Sequence, residues 1–164
     1  MTDQPRITTC LWFDRGGLEA AELYCSVIPD SEITGVTGST PDIPGRQEGV
    51  PLEVHFRLGD QHYVVLNGGP LFPLTEAVSI QVLVDDQAEL DRIWSALLEG
   101  GSESQCGWLK DRFGLSWQIV PRRFVELMSG EDEAARERVV RQMLTMIKLD
   151  IAPLETAAAG SVDA

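Results

Sequence analysis

The chain has 164 residues, 43% apolar and 24% charged, which is the composition of a folded domain, or of two small joined ones, rather than of a disordered segment. Thirteen basic against 26 acidic side chains leave a formal net charge of −13. Such charge repels phosphate backbones and anionic lipid, so neither nucleic acid nor a membrane surface is an expected partner. No apolar run approaches the roughly 18 residues of a membrane span. Met1–Arg6 lacks the basic and apolar regions of a secretory signal, which makes the cytoplasm the expected compartment. The three cysteines, Cys10, Cys25 and Cys106, are widely spaced and form no CxxC, and the histidines are two, His55 and His62. This points away from a structural zinc site and from a disulfide framework. Cys10 and Cys25 read as small core residues.

Ile7–Phe13 reads as a strand and Asp14 as the cap of a helix over Leu18–Ile28, whose apolar positions Leu18, Ala21, Tyr24, Cys25 and Ile28 follow helical spacing. Pro29 ends that helix, and Ser31–Gly38 is a second strand. Gly38–Pro51 is dense in glycine and proline; it reads either as a loose connection or as a lid over a pocket. Leu52–Leu58 alternates strictly, with Leu52, Val54, Phe56 and Leu58 on one face and Glu53, His55 and Arg57 on the other. Gly59-Asp60 turns it into a hairpin with His62–Asn67.

A second series opens at Val78. Val78, Ile80, Val82 and Val84 alternate with Ser79, Gln81 and Leu83, and Asp86 with Glu89 makes a capping box for a helix whose stripe is Leu90, Ile93, Trp94, Leu97 and Leu98. Gly100-Gly101 stops it. Gln105–Asp111 and Leu115–Val120 read as strands joined at Arg112–Gly114. Glu126–Ile151 reads as one helix, with Ala135, Val139, Met143 and Ile147 facing either the parent domain or a second subunit. Thr156–Ala164 reads as a disordered tail.

The element order repeats. Thr8 falls on Ser79, Cys10 on Gln81, Phe13 on Val84 and Asp14 on Asp85. A duplicated βαβββ unit predicts an α+β fold in which paired modules form a curved mixed sheet around an internal cleft, with helices outside. The modules are expected over residues 6–70 and 77–121, followed by a helical extension over 122–155 and the tail over 156–164. Alternation assigns Leu11, Phe13, Val54, Phe56, Val64, Leu66, Ile80, Val82, Trp117 and Ile119 to the helix side. Thr8, Cys10, Trp12, Glu53, His55, Arg57, Tyr63, Asn67, Ser79, Gln81, Ser116 and Gln118 fall on the opposite side. That polar set suits a solvated face, or a lined cleft to which Trp12, Tyr63 and Trp108 add aromatic surface.

Leu11-Trp12-Phe13-Asp14, Leu66-Asn67-Gly68-Gly69-Pro70, the stretch QCGWLKDRFGLSWQIVP (Gln105–Pro121) and KLDIAPLE (Lys148–Glu155) resemble the vicinal oxygen chelate (glyoxalase/bleomycin resistance/dioxygenase) superfamily. Within it they are similar to the PhnB-like branch often labelled 3-demethylubiquinone-9 3-methyltransferase. The resemblance implies paired βαβββ modules with a glyoxalase-like cleft, and commonly a homodimer. In metal-dependent members it implies four ligands, one from each of four strands, typically His, Glu or Gln. On that pattern the positions here are Thr8, Asn67, Ser79 and Gln118. Two hydroxyls and two amides supply no anion and no imidazole, so no metal and no other cofactor is expected.

The first functional reading is therefore a metal-free protein that binds a small organic ligand through Thr8, Trp12, His55, Asn67, Ser79, Gln81, Trp108 and Gln118. The second is an enzyme on a small aromatic or quinone-like substrate, or a metal-dependent lyase or oxidoreductase of the superfamily's kind. S-adenosylmethionine transfer has no support in a strand–Gly-rich loop–helix motif here. The catalytic candidates are His55 with Glu53, a base whose basicity the carboxylate raises, and Cys106 beside Lys110. A solvated strand histidine and an inert thiol account for the same residues. A third reading is a structural or regulatory dimer joined through the C-terminal stripe.

Overall fold

The computed structural model describes residues 6–38 and 48–160. The chain divides into two compact units, Met1–Leu74 and Thr75–Ala164. The first runs β1 (Thr9–Phe13), α1 (Gly17–Val27), β2 (Glu32–Thr37), β3 (Glu53–Leu58), β4 (Gln61–Asn67). Its sheet has the order β1-β4-β3-β2, with β1 parallel to β4 and the other pairs antiparallel. The second runs β5 (Ser79–Val84), α2 (Gln87–Leu98), β6 (Ser102–Glu103), β7 (Trp108–Lys110), β8 (Ser116–Pro121) and repeats the pattern, β5-β8-β7-β6, with β5 parallel to β8. The duplicated βαβββ unit is thus present, followed by α3 (Arg122–Ser129), α4 (Glu133–Met143) and α5 (Ile151–Ala159).

In the first unit α1 buries Ala20, Ala21, Tyr24 and Val27 against a sheet face made of Leu11, Phe13, Val54, Phe56, Tyr63 and Val65. Tyr24 reaches Phe56 at 6.1 Å between ring centroids, and Phe56 stacks on Tyr63 at 5.2 Å. Tyr63 and Asn67 therefore lie on the helix side, and Val64 and Leu66 on the other, the reverse of their expected faces. Gln61–Asn67 (QHYVVLN) is apolar at both parities, so alternation alone does not orient β4. The turn does: Leu58 pairs with Gln61 across Gly59-Asp60, which forces Phe56 opposite Tyr63 and Val54 opposite Val65.

The cap of α1 is also displaced from Asp14. Gly16 takes the left-handed conformation at the N-cap (φ +81°), and the Gly17 N–H is received by the side chain of Asn67. α1 ends as expected before Pro29, with Ile28 extended. Residues 39–47 of the segment that could act as a lid fall outside the described residues.

In the second unit Asp86 accepts from Glu89 N–H (2.8 Å), while Glu89 reaches back to the N–H of Asp85 (2.9 Å) rather than of Asp86. Leu90, Ile93, Trp94 and Leu97 are buried as their stripe predicts. Gln105–Gly107 is not strand. Cys106 and Gly107 are left-handed (φ +60° and +82°), and their N–H groups donate to Met146 and Ile147 carbonyls at 2.8 and 2.7 Å instead of to a sheet neighbour.

The single helix expected over Glu126–Ile151 is broken into the end of α3, all of α4 and a non-helical stretch that leads to the first residue of α5. Gly130 is extended and stops α3, Asp132 caps α4 through Ala135 N–H, and Asp150 caps α5 through Ala152 N–H. Val139 is fully buried and α4 packs on α5 of its own unit, while Ile147 lies outside the helix and is exposed. Residues 156–159 are helix, not tail. Gly160 closes α5 in the left-handed conformation, and Arg138 donates to the Ala157 and Ala158 carbonyls, both at 2.8 Å.

Candidate functional site

Each sheet has a face turned from its helix, and strand register sets what stands there. In the first unit Cys10, Val64 and His55 lie side by side on β1, β4 and β3, and Trp12, Leu66 and Glu53 form the next row. Thr8, half-buried, precedes β1 at the parity of Cys10. His55 Nε2 lies 3.2 Å from Glu53 Oε2. Cys10 is exposed rather than in the core, and Cys25 is half-buried. Burial and then the Glu53 carboxylate hold the Cys10 thiol above its ordinary pKa. Arg57 is spent on structure: its guanidinium bonds Glu32 (2.9 Å) and the Asp30 and Gly59 carbonyls.

Trp12 is pinned within its own unit. Its indole N–H donates to the Gly69 carbonyl at 2.8 Å and Phe72 meets its ring edge-on at 4.9 Å. Gly68 lies against the ring, where a Cβ would come within 2.4 Å of it. Asn67 is buried under α1. It accepts from Gly17 N–H (3.1 Å) and donates to the Pro51 carbonyl (2.8 Å), so its amide is occupied by the fold.

In the second unit the rows are Ser79–Ser116–Lys110 and Gln81–Gln118–Trp108, across β5, β8 and β7. Gln81 donates to Gln118 (3.3 Å), and Gln118 donates to Ser79 Oγ (2.8 Å). Lys110 is hydrogen-bonded to Glu76, which holds the Glu76 carboxyl below the usual carboxylate range. The Ser116 hydroxyl is buried and has no partner among the described residues. Cys106 sits in the left-handed turn before β7, outside these rows, with the neighbouring Lys110 ammonium engaged by Glu76. His55 and Glu53 thus come together on one strand, and Ser79, Gln81, Trp108 and Gln118 on one sheet face. Asn67 joins neither set.

The repeat also corrects one ligand position. Cys10 pairs with Val64 as Gln81 pairs with Gln118, so the counterpart of Gln118 in the first unit is Val64, not Asn67. On the pattern that the resemblance implies, the positions are then Thr8 and Val64 in the first unit and Ser79 and Gln118 in the second. This set holds an alkyl group, two hydroxyls and an amide already hydrogen-bonded to Ser79 and Gln81, and it does not fit a transition metal. Among the described residues no group of three or more His, Cys, Asp or Glu is placed to hold an ion. Lys110 and Ser116 were legible as neighbours of Gln118 once β7 and β8 are paired.

Residues 5–120 match the model of the 3-demethylubiquinone-9 3-methyltransferase family. The chain belongs to that family. It is similar in structure to the PhnB protein from Bacillus cereus, at 27% identity and a TM-score of 0.65 over 71% of this chain and 99% of that one. The PA1353 protein from Pseudomonas aeruginosa shares the fold at 22% identity and a TM-score of 0.57, over 72% and 98%. A weaker likeness, 15% identity and a TM-score of 0.46 over 73% and 93%, is to a glyoxylase/bleomycin resistance protein/dioxygenase domain from Frankia sp. EAN1pec. No curated protein matches in sequence. Membership of the family stands on that match, and the PhnB protein shares the fold. The family match ends before α3, so α3–α5 lie outside it. Among the described residues no helix is long and apolar enough to cross a membrane.

Proposed function

We propose that this PhnB-like chain is a metal-free binder of a small organic ligand, acting as a cytoplasmic homodimer. The candidate ligand contacts are Ser79, Gln81, Trp108 and Gln118 on the second unit's sheet face, and, taken by itself, the first unit's face offers Thr8, Trp12 and His55. The observation that carries the reading is the Gln81–Gln118–Ser79 chain of hydrogen bonds beside Trp108. It is an ordered polar surface with an aromatic edge, standing where metal-dependent relatives would carry an ion. Amides and hydroxyls orient a ligand's polar atoms, and an indole supplies apolar area.

A thermal-shift screen of small aromatic and quinone-like compounds, run with elemental analysis of the purified protein, tests this. A ligand at 100 times its Kd adds about 2.7 kcal/mol of stability. Binding by apo protein supports the reading, and stoichiometric iron, nickel, zinc or manganese sinks it.

The His55–Glu53 contact favours a second reading, proton transfer on an aromatic or quinone-like substrate, in which His55 is the base and Glu53 orients its ring. Turnover of a compound found in the screen, lost in His55→Gln, would support it.

A further inference from the structure

We propose that the ligand carries an anionic group, of carboxylate class, on an aromatic ring, and that the Ser79–Ser116–Lys110 row receives that group by displacing Glu76 from Lys110. The inference rests on the small-ligand reading and names the ligand's chemistry.

Three donors stand in one row. The hydrogen bonds of the neighbouring row run one way, Gln81 to Gln118 to Ser79. Ser79 Oγ receives the last of them, which leaves its own proton to be donated outward, and polarisation along such a chain strengthens the terminal donor. Next to it Ser116, only 2% exposed, holds its Oγ buried with no partner among the described residues. A buried hydroxyl without a partner is costly, and an acceptor arriving beside it removes that cost. Lys110 completes the row on β7. Neighbouring strands lie about 4.8 Å apart, so a two-oxygen group over Ser116 is within reach of both flanking side chains.

The sign of the group follows from charge. Among the described residues Lys110 is the one charged side chain on this face of β5, β7 and β8. Its partner Glu76 belongs to the segment before β5 and is 67% exposed at the side chain, so water takes over its carboxylate readily once it is released. The pair is an exchangeable counter-ion rather than a buried structural bridge. Trp108, in the adjacent row on the same strand as Lys110, offers a ring face for the aromatic part.

The probes are matched pairs of aromatic acids and their amides, 2-naphthoate with 2-naphthamide and benzoate with benzamide, titrated to millimolar concentration. They are followed by amide and indole proton–nitrogen NMR, in which Trp108 reports directly. The acids are expected to shift Trp108 and Ser116 and to bind at least tenfold tighter than their amides. Lys110→Met is expected to remove that preference. Glu76→Gln is expected to tighten the acids several-fold and leave the amides unchanged. Ser116→Ala is expected to weaken the acids while the free protein keeps or raises its Tm, a combination that a purely structural serine would not give.

Acids that bind no better than amides, or Glu76→Gln without effect on the acids, overturn the inference and leave the small-ligand reading intact. Shifts confined to residues outside the second sheet overturn it in the same way. If no acid shifts the protein, the inference falls, and the wider compound screen alone decides the underlying reading.

Discussion

Asp111 is the side chain on which the β7–β8 hairpin depends. It is 3% exposed, and its carboxylate accepts from Phe113 N–H (2.8 Å), Leu115 N–H (3.0 Å) and the Trp117 indole N–H (2.8 Å). Trp117 is itself fully buried against the helix side of the sheet. Asp111→Ala leaves three donors without their acceptor, and at least the Leu115 and Trp117 groups are away from water. A hydrogen bond to a charged group contributes about 1.5–3 kcal/mol, and an orphaned buried donor costs about 1–3 kcal/mol. These terms overlap, so the expected loss is about 3–5 kcal/mol, a large part of the roughly 5–15 kcal/mol available to a domain. Asp111→Asn keeps one acceptor but turns an NH2 group toward either Trp117 or the two backbone donors, for a loss of about 2 kcal/mol. Urea unfolding followed by near-ultraviolet circular dichroism measures both, with the midpoint falling at unchanged slope. Were Asp111→Ala within about 0.5 kcal/mol of wild type, the scale that separates surface substitutions from buried networks, the hairpin would be held by something other than this carboxylate.

Gly17→Ala should cost about 1–3 kcal/mol by overpacking, because a Cβ there would stand 2.3 Å from Val65 Cγ1 and 2.8 Å from Asn67 Oδ1; a neutral result in urea would show that α1 can lift from the sheet. Asn67→Asp keeps the acceptor for Gly17 N–H but sets an oxygen against the Pro51 carbonyl, for a loss of about 2 kcal/mol, and unchanged stability would remove Asn67 from its structural role. Hydrogen bonds from Lys148 and then Gln87 hold the Asp91 carboxyl below its ordinary range. Its contribution to stability is therefore complete above the unfolded value of about 3.9 and is lost as pH falls through the lower folded value. Carboxyl NMR titration of Lys148→Met should show Asp91 rising toward the ordinary value; an unmoved titration would refute the pairing.

Much of the architecture was legible because the chain repeats itself. Two series of alternating strands and amphipathic helices, with Thr8 falling on Ser79 and Phe13 on Val84, were enough to expect the βαβββ pair that both sheets show. The strands with one oily side, β3 and β5, could be oriented by eye, whereas β4 could not, since Val64 and Val65 serve opposite faces equally well. The assignment of Asn67 to a ligand followed from that ambiguity, and the Leu58–Gln61 pairing across the turn was the signal able to resolve it. Cys106 and Gly107 read as strand because their hydrogen-bond partners, Met146 and Ile147, are distant in the chain. The C-terminal segment read as one helix because a four-residue spacing of apolar side chains continues across Leu144–Asp150, where the backbone has in fact left the helix. The row Ser79–Ser116–Lys110 depends on pairing three strands, which no local pattern encodes.

The parallel pairs carry a kinetic consequence. In each unit the opening strand finds its partner only in the closing one: Thr9 waits for Tyr63, and Ser79 for Ser116. Contacts so distant along the chain pay their loop-closure entropy before they return any stabilisation, which slows folding. On the ribosome the nascent first strand therefore stays unzipped until β4 has emerged, and β5 likewise waits for β8.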